Sequence, residues 1–383
     1  MTLAPFEIDI PDARLAVLRD RLRTTVWADE PTSGADDWGL GVPGAYLREL
    51  VAYWLDGYDW RAQEQLLNER LPGWETTIGG SRVHFARCQG QGPRPVPLVL
   101  LHGWPGSFFE MYKIAPELAD PAAYGGDPRD AFDVVVPSLP GHGFSDSPDT
   151  VGFGADQCAG VIHTLMTDVL GFDQGFIAQG GDRGAFVSAG LGHQYSNSVT
   201  AIHLNMATGI VGSGDELTEE ERQFQQSQVS FLAREGGYIA IQGTRPQTLG
   251  VGLNDSPVGL LAWIVEKWYA WSDCNGDIES CFTKDELLTN VMLYWITQTI
   301  RPSMHYYYEH RANPPVAMRP ERVEVPTAIA MFPREVMQVP RRAVERKYQV
   351  RQWTAMPAGG HFAAMEQPDA LIADIRTFAR AFR

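Results

Sequence analysis

Gly180-Gly181-Asp182-Arg183-Gly184 sets an aspartate at the centre of a turn built from glycines. An apolar run, residues 176–179, precedes it, and a helix-forming stretch, residues 185–191, follows. Small residues flank the centre because a tight strand-to-helix turn leaves no room for side chains and strains the residue it presents. Small-x-nucleophile-x-small is the pattern of a nucleophile elbow, here with a carboxylate in the place of serine. A carboxylate that attacks carbon forms an ester, which water must cleave in a second step. No G-x-S-x-G occurs in the chain, which argues against a serine esterase.

Ester cleavage asks for donors to an oxyanion, a base for the water, and an acid that orients the base. His102-Gly103-Trp104-Pro105-Gly106-Ser107 directly follows the apolar run 97–101, where a backbone N–H helps to form the oxyanion hole behind an elbow of this kind. We assign that donor to the Trp104 N–H, with the Arg183 N–H as the second. Gly359-Gly360-His361-Phe362 follows the last apolar run and supplies the base, His361. Chain order then requires an acid between nucleophile and histidine. Glu335, in Phe332-Pro333-Arg334-Glu335 just past the run 327–331, stands in the expected place. Some relatives take the acid from after the strand near Leu204, but Asn205 there is neutral.

These groups need a scaffold that brings loops from distant parts of the chain together. From residue 96, short apolar runs (96–101, 133–137, 176–179, 199–204, 327–331, 352–355) alternate with helical stretches, the signature of a largely parallel sheet. Residues 1–95 read as a helical leader, with Leu15, Leu18 and Leu22 at helical spacing and five tryptophans (Trp27, Trp38, Trp54, Trp60, Trp74) to pack it on the main body. Between 206 and 325 the strand rhythm stops. Thr283-x-x-Glu286 opens one helix there as a capping box and Ser256-Pro257 opens another, so the segment reads as a helical lid. The expected architecture is an α/β-hydrolase fold: a mostly parallel central sheet flanked by helices, with core 96–205 and 326–383, lid 206–325 and leader 1–95.

HGWPGS at 102–107, GGDRG at 180–184, LNDSPVGL at 253–260, LLTNVMLYW at 287–295 and GGHFAAMEQP at 359–368 together resemble the microsomal and juvenile-hormone epoxide hydrolase family over nearly the whole chain. The resemblance implies hydrolysis of an epoxide to a vicinal diol without cofactor or metal. Motif by motif, it puts the nucleophile on Asp182, the acid on Glu335 and the base on His361. It adds two lid tyrosines that activate the epoxide oxygen, Tyr238 in Glu235-Gly236-Gly237-Tyr238 and Tyr307 in Tyr306-Tyr307-Tyr308-Glu309, with Tyr306 the alternative to Tyr307. Two departures stand out. The membrane anchor of the microsomal members is missing, which points to a soluble enzyme. Arg183 replaces the tryptophan that usually follows the nucleophile, which puts the shape of the substrate in doubt and not the reaction.

Composition narrows the partners. Of 383 residues 44% are hydrophobic, and 31 basic against 47 acidic residues give a net charge of -16. No long basic run occurs, so nucleic acid and anionic membranes are poor partners, and a small-molecule epoxide is the expected one. The first ten residues carry no apolar signal region and the chain no bilayer-length apolar run, so a cytoplasmic protein is expected. Four cysteines without CxxC or zinc-like spacing suit free thiols. Aromatic residues in the lid (Trp263, Trp268, Trp271, Trp295, residues 306–308) suggest a bulky aryl or conjugated epoxide, met in detoxification or natural-product biosynthesis. A homo-oligomer stays open. The other readings are a hydrolytic dehalogenase of the same fold, for which Phe186 stands where a second arginine is needed, and a non-catalytic ligand-binding protein.

Overall fold

The computed structural model describes residues 2–30, 37–214 and 217–383. Nine strands form one sheet: β1 (Ala4–Phe6), β2 (Gly73–Ile78), β3 (Ser81–Cys88), β4 (Val96–Leu101), β5 (Phe132–Pro137), β6 (Phe176–Gly180), β7 (Val199–Leu204), β8 (Val323–Met331) and β9 (Tyr348–Ala355). Their order is β1-β2-β3-β5-β4-β6-β7-β8-β9. From β5 through β9 all neighbours are parallel. Parallel strands are covered on both faces and therefore read as unbroken apolar runs, as VPLVLL in β4 and FIAQG in β6 do.

The leader departs from the expectation of helices alone. Residues 73–88 form the antiparallel hairpin β2–β3, and β3 pairs antiparallel with β5, so this part of 1–95 extends the core sheet. Gly79 and Gly80 turn the hairpin with φ of 60° and 88°, the two positive values that a tight two-residue loop requires. Strand β1 pairs antiparallel with β2, and the leader's helices are α1 (Asp12–Arg23), α2 (Gly44–Asp56) and α3 (Trp60–Arg70). Leu15, Leu18 and Leu22 are buried as their spacing predicts. Trp54 and Trp60 are also buried, whereas Trp27 is exposed.

In the core follow α4 (Ala115–Ala119), α5 (Ala155–Thr164) and α6 (Asp182–Gln194). Between β7 and β8 the chain leaves the sheet for six helices: α7 (Glu219–Glu235), α8 (Gly237–Gln242), α9 (Pro246–Asp255), α10 (Pro257–Trp271), α11 (Lys284–Thr297) and α12 (Ile300–Ala312). The capping box at Thr283 is complete, with Glu286 N–H donating to Thr283 Oγ1 at 3.2 Å and Thr283 N–H donating to Glu286 Oε2 at 2.8 Å. Ser256 caps α10 with its side chain alone, Oγ accepting from Gly259 N–H at 3.0 Å. Both helices are apolar over most of their surface, and α10 buries Trp268 and Trp271 completely.

The leader is fastened to this lid as well as to the sheet. Tyr53 Oη donates to Asp285 at 2.8 Å, Tyr58 Oη and Thr289 Oγ1 lie 3.0 Å apart, and Trp38 stacks on Tyr269 at 3.9 Å between ring centres. A lid held from outside keeps its inner face in register with the sheet beneath it. The chain ends with α13 (Arg341–Lys347), α14 (Ala363–Glu366) and α15 (Pro368–Ala379), the last burying Leu371, Ile372, Ile375 and Phe378. No single helix among the described residues is long and apolar enough to cross a membrane.

Candidate active site

Strand β6 ends at Gly180 and α6 begins at Asp182, so the aspartate occupies the corner between them. Its φ is 46°, a left-handed value that costs a residue with a side chain about 1–3 kcal/mol and persists only where the surroundings enforce it. Those surroundings are close-packed. A Cβ on Gly184 would lie 1.9 Å from the carbonyl oxygen of Leu101, and one on Gly103 would lie 2.3 Å from Asp182 Cβ. The missing side chains let the elbow seat against the end of β4 and the turn after β4 close on Asp182. From that turn the Trp104 N–H donates to Asp182 Oδ1 at 2.7 Å. The Arg183 N–H makes no hydrogen bond to this carboxylate among the described residues.

His361 reaches the same carboxylate from the other side, its Nε2 3.7 Å from Asp182 Oδ2. Its Nδ1 faces Glu335, 2.9 Å from Oε1 and 3.1 Å from Oε2. Both partners are buried. The His361 loop is held from three directions by a carboxylate that sequence reading passed over. Glu366 accepts the N–H groups of Gly360 and Phe362, on either side of His361, each at 2.9 Å, and that of Asp273 at 2.7 Å. The His361 N–H donates to the carbonyl of Trp271 at 2.9 Å, which ties the loop to the lid.

The lid brings Tyr238, on α8, and Tyr307, on α12, against Trp104. Trp104, which donates to Asp182 through its backbone, stacks on Tyr238 at 5.5 Å and meets Tyr307 edge-on at 5.6 Å. The two tyrosine rings are 5.5 Å apart and T-shaped. Tyr306 turns away, its hydroxyl donating to the carbonyl of Pro140 at 3.2 Å. The Arg183 guanidinium lies over the Tyr307 ring, 3.9 Å from its centre, and 5.2 Å from that of Tyr306.

Burial works against the imidazolium of His361, but the charge and hydrogen bond of Glu335, with the charges of Asp182 and Glu110, outweigh it and raise the pKa to about 9. Burial raises both tyrosines well above the ordinary phenol range, so they stay protonated donors, and the Arg183 charge opposes that rise at each.

Glu110 is a second carboxyl that sequence reading missed, since a glutamate within Phe108-Phe109-Glu110-Met111 gives no motif of its own. Burial raises it to about 8, with the His361 charge opposing and the Asp182 charge adding. With Asp182, His361, Asn205 and Trp104 it lines a cavity of about 20 Å³, enough for a single water. Asn205, at the alternative acid position, accepts from Gln179 at 2.8 Å and has no contact with His361 among the hydrogen bonds of the described residues. No group of metal-ligating side chains occurs among the described residues.

Two family profiles match the chain, one described as the epoxide hydrolase N terminus over residues 3–111 and one as the alpha/beta hydrolase fold over residues 96–235. Epoxide hydrolase 1 of Oryctolagus cuniculus is 37% identical over 410 residues, covering 98% of this chain and 88% of the relative. Aspergillus niger epoxide hydrolase superposes with a TM-score of 0.86 at 33% identity, covering 100% of this chain and 97% of that one. The juvenile hormone epoxide hydrolase of Bombyx mori superposes with a TM-score of 0.90 at 30% identity, covering 100% and 95%.

Proposed function

The chain belongs to the epoxide hydrolase family and is an epoxide hydrolase; on that footing we propose that it works by covalent catalysis, with Asp182 as the nucleophile. One observation carries the reading. Asp182 stands at a strained corner with the Trp104 N–H 2.7 Å from one carboxylate oxygen and His361 Nε2 3.7 Å from the other. In the first step Asp182 attacks a ring carbon, the C–O bond breaks, and its electron pair goes to the ring oxygen. That oxygen takes a proton from Tyr307 or Tyr238, leaving a hydroxyalkyl ester and a tyrosinate.

In the second step a water in the cavity beside Glu110 gives a proton to His361 and attacks the ester carbonyl. The oxyanion is held by the Trp104 N–H and, once the carbonyl carbon becomes tetrahedral, by the Arg183 N–H. Collapse expels the diol oxygen, which takes the proton back from His361, and the acid formed at Asp182 loses the proton that restores the tyrosine. Glu335 keeps the imidazole oriented and compensates its positive charge. The aromatic wall of Trp104, Tyr238, Tyr307 and Trp271 suits a bulky aryl or conjugated epoxide, whose benzylic carbon gains from conjugation as the C–O bond stretches. A cytoplasmic site of action, in detoxification or natural-product formation, belongs to the same proposal.

The test is His361→Gln with styrene oxide, followed by intact-protein mass. The variant should accumulate one hydroxyalkyl adduct on Asp182, because alkylation proceeds and hydrolysis stops. Normal turnover, or no adduct at all, overturns the roles given to both residues.

A further inference from the structure

Arg183 is 98% withdrawn from solvent, its relative exposure being 2%. Its Nε and Nη1 have no hydrogen-bond partner, and no carboxylate forms an ion pair with it among the described residues. A buried, unpaired cation costs several kcal/mol, so a fold that keeps one has something negative for it to meet. Aromatic faces offset part of that cost, and the guanidinium is flanked by two, Tyr306 at 5.2 Å and Tyr307 at 3.9 Å. Neither ring carries a charge at rest. Tyr307 acquires one only when it gives its proton to the opening epoxide.

We propose that Arg183 is a positioning residue for the alkylation step, its guanidinium over the Tyr307 ring stabilising the tyrosinate that forms as the epoxide oxygen is protonated. The proposal rests on the role given above to Tyr307. It goes beyond that role by assigning the acidity of the donor to the residue that follows the nucleophile. The geometry suits charge that develops in the transition state. Ionisation of a phenol spreads negative charge into the ring, and a cation over the ring face then gains attraction that it lacks over the neutral phenol. Burial drives Tyr307 upward, which protects its proton and by itself makes it a poor donor; the Arg183 charge is the largest influence in the opposite direction. Arg183 shares its turn with Asp182, so the nucleophile and the cation that favours departure of the oxygen are carried by adjacent residues of one rigid corner. Tyr238, its ring 5.5 Å from that of Tyr307 and T-shaped to it, completes the pair of donors.

The experiment measures alkylation by rapid quench and intact mass in the His361→Gln background, where the adduct accumulates. Arg183→Met should slow alkylation by roughly tenfold to a hundredfold, part of the hundredfold or more that a general acid supplies. Arg183→Lys, which keeps the charge, should recover most of that loss. In otherwise unaltered enzyme Arg183→Met should lower kcat with little change in KM, and its thermal unfolding should show the fold intact. The decisive comparison is a double-mutant cycle, because a residue acting through Tyr307 has nothing to act on in Tyr307→Phe. Arg183→Met should therefore cost less than about threefold in that background. An undiminished loss there, or no loss in Arg183→Met or no rescue by lysine with Tyr307 present, overturns the inference and leaves the role of Tyr307 standing. Unchanged alkylation in Tyr307→Phe alone overturns both.

Discussion

Replacing Asp182 by asparagine removes a negative charge 3.7 Å from His361 Nε2 while leaving an oxygen for the Trp104 N–H. Opposite unit charges at that separation attract by about 4 kcal/mol at an effective dielectric near 20 and by about 1 kcal/mol in water. At about 1.4 kcal/mol for each pH unit, His361 should titrate about one to three units lower in Asp182→Asn than its wild-type value of about 9. The sign follows from the charge: the carboxylate favours imidazolium, so its loss favours the neutral ring. Histidine-labelled protein followed by NMR between pH 5 and 10 reads the value, with His361→Gln identifying the resonance. Burial drives His84 and His102 down to about 3 and about 4, so neither crosses that window. Alkylation makes the same change as the substitution, because an ester is neutral. His361 would thus be imidazolium before the epoxide arrives and free imidazole when water must be activated. A His361 that titrates in Asp182→Asn within half a unit of wild type refutes this reasoning and leaves the second step without its base.

Three further outcomes are expected. Tyr238→Phe and Tyr307→Phe should each slow alkylation by roughly tenfold or more, and the double variant should nearly abolish it with non-additive losses, as rapid quench will show; an unchanged rate in Tyr307→Phe would remove Tyr307 from the role. Glu110→Gln should slow ester hydrolysis more than alkylation, read as adduct present at steady state. It should also flatten the pH dependence of stability: a carboxyl held at about 8 when folded weakens the fold as pH rises from its ordinary value near 4.5 towards 8, and denaturant titrations of variant and wild type should diverge across that window. Among substrates, styrene-oxide-like compounds should exceed short aliphatic epoxides in kcat/KM, and equal or better rates on the small compounds would defeat the reading of the aromatic wall while leaving Asp182 untouched.

Most of the parallel half of the sheet was legible because buried parallel strands carry short apolar stretches, as in VPLVLL of β4, VVVP of β5 and AIAM of β8, whereas β9, YQVRQWTA, is only part-buried and carries none. Their starts were less so: β8 begins at Val323 and β9 at Tyr348, several residues before the expected starts at 327 and 352, because Glu324 and Arg351, both exposed, interrupt the apolar pattern. The hairpin β2–β3 was not legible at all. Gly73-Trp-Glu-Thr-Thr-Ile78 has no clean alternation, and the one strong signal, Gly79-Gly80, lies among helical patterns that claimed the segment.

The site divides along a similar line. Asp182, Trp104 and His361 were singled out as candidates because glycine turns surround them, where Gly184 cannot carry a Cβ against Leu101, nor Gly103 against Asp182; Glu335 was chosen by chain order. Constraints of that kind are local and leave a mark on neighbouring letters. Glu110 and the stack of Arg183 on Tyr307 leave none, because what matters there is distance through space between residues far apart in the chain. The charges near Asp182 illustrate the consequence. Glu335 and Glu110 favour imidazolium at His361, His361 resists burial's hold on Glu110, and Arg183 opposes burial at both tyrosines. In the proposed cycle Asp182 passes from carboxylate to ester and back, so the bond formed at the elbow would lower the proton affinity of His361 and its cleavage would restore it. A motif names the residues that can take part in such a cycle; the order in which their protons move is set by the low-dielectric space the lid closes over them.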